Sequence, residues 1–261
     1  MVYADLHVHT RRSDGSLTLE TIPDAARAAG VEVVGVTDHD RFHLDLDGPV
    51  VERDGITMIH GIELRVEAAG GRVDLLGYGL ERTDALQREV ERIQRDRRER
   101  GRAIVECVED RLGIDLDVEL RAGLGRPHVA RAIESHPETD LDYDAAFDEL
   151  IGNDGPCFVA RDVPSFERGR SLLAEACGIV GLAHPFRDDD PEWALSLTAD
   201  LDAVEWHYPY DRPVDESLVE DAVRENDLLV TGGSDAHGRT LGAAGLSADE
   251  YEPIARRVVR R

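Results

Sequence analysis

Short apolar runs in this chain stop, one after another, on a histidine or a carboxylate. That recurrence constrains the fold more than any other feature. The first is Asp5-Leu6-His7-Val8-His9-Thr10, followed by Ser13-Asp14-Gly15. Side chains alternate faces along a strand, so His7 and His9 project together, with Asp14 close behind. Val31 to Val36 runs into Thr37-Asp38-His39-Asp40, and Ile56 to Gly61 into Ile62-Glu63. Val73 to Tyr78 carries Asp74, Ile179 to Ala183 ends on His184-Pro185, and Leu201 to Trp206 carries Glu205. Leu228 to Thr231 meets Gly232-Gly233-Ser234-Asp235-Ala236-His237. Continuous apolar strands indicate burial on both faces, as in parallel sheets. Helical patterns separate several of these runs, at Leu19 to Gly30, Phe166 to Cys177 and Val214 to Asn226, with another at Glu250 to Arg261. The alternation predicts an α/β barrel, whose strand ends converge on one face.

Taken singly, each residue has a plain structural role open to it. Asp38 or Asp40 could cap a helix, His184 could be a satisfied loop histidine, and Glu205 could pair with an arginine. Repetition at the same end of successive strands is what favours a shared site. A mixed histidine and carboxylate set without cysteine suits Zn²⁺, Mn²⁺ or Fe²⁺. The candidates exceed what one tetrahedral ion accepts, which implies two or three divalent ions.

Between Leu80 and Cys157 no convincing strand occurs. Thr83 to Gly113 reads as a long helix rich in Arg and Glu, with Ile93, Ile104, Val105, Val108 and Leu112 as its apolar positions. Shorter helical patterns follow at His128 to Ser135 and Tyr143 to Ile151. The expected organisation is one catalytic domain over 1–261 with a helical insertion at 81–156.

The chain carries 55 acidic against 30 basic residues, a formal charge of −25, and every basic residue is arginine. Such a surface disfavours nonspecific binding to nucleic acid duplexes, which needs basic charge. Its self-repulsion is screened by concentrated salt, so a halophilic, salt-rich cytoplasm is expected. Cys107, Cys157 and Cys177 show no CxxC spacing, and reduced buried thiols in a cytoplasmic protein are the expectation. No signal peptide is expected at the N-terminus, and no apolar stretch is long enough to span a bilayer. Neither a membrane nor an obligate protein partner is expected.

The ordered motifs resemble those of the polymerase and histidinol phosphatase (PHP) family: Asp5 to Thr10 with Ser13 to Gly15, Thr37 to Asp40, Gly61-Ile62-Glu63, Ala183-His184-Pro185 and Ser234 to His237. Gly125-Arg126-Pro127-His128-Val129-Ala130-Arg131 further resembles the branch of small phosphoesterases acting on nucleotides. The resemblance implies a distorted seven-stranded (β/α)7 barrel with a helical insertion and a trinuclear metal centre. By position, His7, His9, Glu63 and Asp235 would hold one ion, and Asp14, His39 and His237 a second. Glu63 would bridge to a third ion completed by His184. The family commonly has a histidine where this chain has Asp74, which still offers a carboxylate to that site.

Asp235, His237 and His9 are the candidate catalytic residues, and Asp5 is expected to orient a histidine from behind. Arg126 and His128 are the candidates for substrate binding, with Arg187 a second phosphate contact. The implied reaction is attack on phosphorus by a metal-bridging hydroxide. The expected substrate is a nucleoside 3′,5′-bisphosphate or a short 5′-phosphorylated oligoribonucleotide. A small phosphomonoester such as histidinol phosphate, or a metal-binding module without turnover, are the alternatives.

Overall fold

The computed structural model describes residues 1–119 and 124–258. The chain divides into two compact units, one of residues 1–87 with 163–261 and one of 88–162. These divisions fall a few residues beyond both limits, 81 and 156, expected for the insertion.

In the first unit the apolar runs become strands. The chain passes from β1 (Ala4–Val8) through α1 (Ile22–Ala29) to β2 (Val33–Val36). Pro23 sits in the first turn of α1, and Gly30 ends it in the left-handed conformation. A short β3 (Val50–Arg53) leads into β4 (Ile56–Ala68), which turns directly into β5 (Gly71–Tyr78). The helix α2 (Asp84–Leu112) then begins, close to the span its spacing predicts.

Three elements follow within the second unit: α3 (Arg126–Glu134), then α4 (Tyr143–Ala146) continuing into a π-helical turn (Phe147–Ile151). The chain next gives α5 (Phe166–Ala176), β6 (Ile179–Leu182), α6 (Pro191–Ser196), β7 (Ala203–His207), α7 (Glu216–Asn226), β8 (Leu229–Gly232) and α8 (Ala248–Val258). The end of the expected closing helix, residues 259–261, lies outside the described residues.

Seven strands form one path in the order β1-β2-β4-β5-β6-β7-β8, with β3 pairing antiparallel to β4 at the side. Parallel pairing holds for β1–β2, β2–β4, β6–β7 and β7–β8. The distortion of the barrel lies in the middle, where β5 runs antiparallel to both β4 and β6. Its cause is the short β4–β5 connection, which allows no crossover helix. Two bridges, Ala4 to Leu246 and Val8 to Ala236, join β1 to the chain after β8.

Among the described residues, apolar clusters on the sheet pack the strands against helices. One gathers Leu6, Val33, Ile59, Leu76 and Tyr78 with Tyr251, Ile254 and Val258 of α8. Another gathers Val8, Val34, Val36 and Met58 with Ile22 and Ala26 of α1. Burial of side chains of this size stabilises by about 1.5–3 kcal/mol each. The second unit has its own cluster, in which Ile104, Val105 and Val108 of α2 meet Val129 and Ile133 of α3 and Ile151.

One expectation is corrected here. Cys107 and Cys157 form a disulfide, with their Cα atoms 5.6 Å apart, while Cys177 is buried and takes no part in it. Their sequence separation of 50 conceals their proximity, which arises because α2 and the segment after the π-helical turn share one apolar cluster. Among the described residues, no helix is long and apolar enough to cross a membrane.

Candidate metal centre

Strand alternation places Asp5, His7 and His9 opposite the apolar side of β1, and all three are fully buried. The imidazole of His7 is oriented by Glu205 of β7, whose Oε1 lies 2.9 Å from Nδ1. A histidine held at one nitrogen presents the other as a ligand. His7 Nε2 stands 3.6 Å from Glu63 Oε2 and 3.5 Å from Asp235 Oδ1. His9 Nε2 stands 3.5 Å and 2.9 Å from the same two oxygens. Donors around a tetrahedral ion with bonds of about 2.1 Å are separated by about 3.4 Å.

His39 follows β2 and bridges to Glu63, with its Nδ1 2.5 Å from Glu63 Oε2. Its Nε2 lies 3.8 Å from Asp14 Oδ2, and His237 Nε2 lies 3.4 Å from Asp14 Oδ1. Side-chain exposure separates the two groups. His7, His9 and Glu63 are at 0%, whereas His39, Asp14 and His237 are at 24%, 36% and 40%. The second group therefore forms the mouth of the site. Glu63 is the hub, and it sits within β4, not at a strand end as the sequence pattern suggests.

The loops are shaped for this convergence. Asp38 accepts hydrogen bonds from the amides and hydroxyls of Thr10 and Ser13, which fixes the loop carrying Asp14 and leaves no helix-capping role. Gly233 permits close approach, since a Cβ there would lie 2.3 Å from the His7 nitrogen. Asp235 and His184 both adopt positive φ, 50° and 27°, a conformation that non-glycine residues rarely hold.

Asp5 does not orient a histidine ring. It accepts from the amide and hydroxyl of Ser234, the amide of Gly242 and the amide of His7, and so ties the segment after β8 to β1. Glu205 takes the orienting role, and its Oε2 also accepts from the His184 amide. Two further contributors carry no motif signal: the Tyr208 hydroxyl donates to Asp235 Oδ2 at 2.9 Å, and Arg65 is described below. Arg187, the second phosphate candidate, donates to the same Asp235 oxygen at 3.1 Å.

The electrostatics fit cation binding. Burial resists charge on His7, yet Glu205 and Glu63 outweigh it and hold the ring's proton affinity well above the ordinary value. Burial likewise resists charge on His39, and Glu63 raises its pKa to about 9. Burial, reinforced by His39, lowers His9 to about 4, so it is neutral near pH 7. Burial works against ionisation of Glu63 and Asp235, but the surrounding imidazoles hold both carboxyls below the usual range.

His7 Nε2, His9 Nδ1 and Nε2, Glu63 Oε2 and Asp235 Oδ1 are buried without a hydrogen bond. Such orphaned atoms cost about 1–3 kcal/mol apiece. Divalent cations bound at the converging ring nitrogens and carboxylate oxygens would offset that cost, so these residues fit the ions that the motifs imply.

The third candidate group is His184 with Glu63 and Asp74. His184 Nε2 lies 3.0 Å from Glu63 Oε1 and 3.8 Å from Asp74 Oδ2. Both Asp74 oxygens also accept from the Arg65 guanidinium, one of them from Nε at 2.7 Å. A cavity of about 250 Å³ opens here, lined by Arg65, Arg72 and Arg187 with Asp74 and His184.

Arg126 and His128 lie in the second unit, each described within it. Arg126 starts α3, donates to Ile151 O and Asn153 Oδ1 at 3.0 Å, and stacks near Phe147 and Phe158. His128 Nδ1 accepts from the Gly125 amide, completing a cap.

The PHP domain family matches residues 5–150. The chain belongs to the PHP domain family. A phosphoribosyl 1,2-cyclic phosphate 1,2-diphosphodiesterase of Eggerthella lenta is 30% identical, covering 90% of this chain and 94% of that one. A 3′,5′-nucleoside bisphosphate phosphatase of Chromobacterium violaceum is 28% identical over 72% of this PHP chain and 69% of its own length. In fold, this PHP chain matches a Bifidobacterium adolescentis protein described as a metal-dependent phosphoesterase. The TM-score is 0.78 at 24% identity, covering 98% of this chain and 96% of that one.

Proposed function

We propose that this metal-dependent phosphoesterase hydrolyses a phosphate ester of a nucleoside 3′,5′-bisphosphate or of a short 5′-phosphorylated oligoribonucleotide. The reading rests chiefly on the arginine-lined cavity beside the buried donor cluster. In a chain of charge −25, an opening lined by three arginines against two aspartates, Asp74 and Asp188, is locally positive and suits an anion. The names of the C. violaceum relative and of a 5′-3′ exoribonuclease of Haemophilus influenzae, 25% identical over 76% of this chain, support the nucleotide class.

His7, His9, Glu63 and Asp235 would hold one divalent ion, and Asp14, His39 and His237, with Glu63 shared, a second. When bound, such ions supply positive charge at the phosphoryl oxygens and an acidified water. The chain's own residues set the geometry. Glu205 fixes the His7 ring, and Asp5 clamps the segment that carries Asp235. Tyr208 and Arg187 hold the outer oxygen of Asp235, leaving Oδ1 aimed at His9. His237 at the open side and Arg187 can contact the phosphoryl group, and Arg126 and His128 would bind its non-reacting part.

Phosphate release from adenosine 3′,5′-bisphosphate with Mn²⁺, set against histidinol phosphate, is the deciding assay. Preference for the bisphosphate is expected, and preference for histidinol phosphate would overturn the nucleotide reading. A second reading, hydrolysis of a five-membered cyclic phosphate, is favoured by the 30% identity to the E. lenta relative, and phosphoribosyl 1,2-cyclic phosphate belongs in the same panel. No turnover of any ester in the ion-loaded protein would leave a metal-binding module.

Arg126→Ala is expected to raise KM with kcat little changed, and an unchanged KM removes Arg126 from the site. The acidic surface is proposed as an adaptation to concentrated salt. Thermal unfolding should then shift upward from low to multimolar KCl, and equal stability throughout would refute it.

A further inference from the structure

Arg65 and Asp74 are directly opposite each other in the antiparallel β4–β5 register. Their pairing is therefore written into the hairpin: opposite positions on one face bring side chains into contact, and opposite charges there attract. The Arg65 amide is further fixed by donating to Asp40 Oδ1 at 3.0 Å. Alternation along β4 puts Glu63 and Arg65 on the same face, two residues apart. The guanidinium accordingly stands beside the third group of donors, Glu63, Asp74 and His184. It meets Asp74 through both carboxylate oxygens, and Asp74 is 3% exposed.

A divalent ion in that group would have to share Asp74 with a fixed, permanently charged cation. The charge balance makes such an ion unnecessary. Asp14, Glu63, Asp74 and Asp235, with Glu205 behind His7, contribute five formal negative charges, which two divalent ions and the Arg65 guanidinium together balance. A histidine at position 74, the residue common in the family, would present a neutral ligand with no carboxylate to hold the guanidinium.

We propose that the Arg65 guanidinium, locked on Asp74, occupies the electrostatic place of a third cation, so that this centre binds two divalent ions and presents an arginine to the phosphoryl group instead of a third. The inference builds on the metal-dependent reading above and replaces the three-ion centre that the family resemblance implies. His184 then serves as a neighbour of Glu63 and as part of the cavity wall.

The test is metal counting. Protein equilibrated with excess Mn²⁺ and then desalted is analysed by elemental analysis and native mass spectrometry, with circular dichroism confirming the fold. Wild type is expected to hold two ions per chain, and the Arg65→Ala/Asp74→His double variant three. Arg65→Lys keeps the charge and should stay at two. Arg65→Met frees Asp74 with little change in volume and should gain a third ion, which keeps the question open to experiment where the double variant fails to fold. Three ions in wild type, three in Arg65→Lys, or two in a folded Arg65→Met protein would each overturn the proposal. Fewer than two ions in wild type would overturn the multinuclear reading along with it, so the two failures are distinguishable.

Discussion

The two oxygens of Glu63 look onto different surroundings. Oε2 faces His7, His9 and His39, rings that can give up a proton to a metal, and no guanidinium. Oε1 faces His184, beyond which Asp74 is bound by Arg65. Both sides offer histidine and carboxylate at ligand spacing. What separates them is the charge standing behind the donors. On the first side Glu205 backs a histidine with an anion, which strengthens it as a ligand. On the second a guanidinium already satisfies the carboxylate. Donor spacing alone does not make a metal site, because a permanent cation can satisfy the same carboxylate.

The contrast can be broken most forcefully at the hub. Glu63→Gln should remove tight binding of both ions and lower phosphoester hydrolysis by more than about 100-fold, beyond the range seen for residues that only support ligands. Elemental analysis of the variant checks it, and two retained ions would show that Oε2 is not shared. A smaller effect is expected at Glu205. Glu205→Gln leaves all ligands present but loosens His7, so metal affinity should fall by about 10–100-fold. Calorimetric titration with Mn²⁺ measures this, and unchanged affinity would deny Glu205 its role.

The smallest effect is in pH. In the metal-free protein burial resists the charge on His39, while Glu63 holds its pKa up at about 9. Near neutral pH the ring carries a proton that a metal must displace, and the raised pKa of His7 acts in the same direction, so affinity should rise with pH up to at least about 9. His9, at about 4 through burial and its neighbour His39, contributes no proton in that range. Proton release on Mn²⁺ addition in weakly buffered solution reports the difference between the two rings.

The convergence on Glu63 Oε2 is legible in the sequence because each candidate donor sits in a short motif at or beside a strand. The helical spacing of α2 and the run of strands are legible for the same reason, since periodicity is local. Partners that depend on register are harder to see. Glu205 reads equally well as half of a salt bridge, because nothing in Leu201 to Trp206 reveals that β7 lies across from His7. Asp5 reads as a support for a ring and instead secures the segment after β8. The Arg65–Asp74 pair did leave a signal. Ala69-Gly70 forms the two-residue turn between Ala68 and Gly71, and counting back from it sets Arg65 against Asp74. The disulfide left none, since cysteine spacing does not encode how the π-helical turn returns to α2.

Asp5 and Ser234 are separated by 229 positions yet share a buried hydrogen bond. During synthesis the first histidines leave the ribosome long before Asp235 exists. The ligand set proposed for the first ion would therefore stay incomplete until the final strand has been made and docked. An ion captured there is a report that the whole barrel has closed, and a truncated chain would forfeit that stabilisation even with most of its sheet intact.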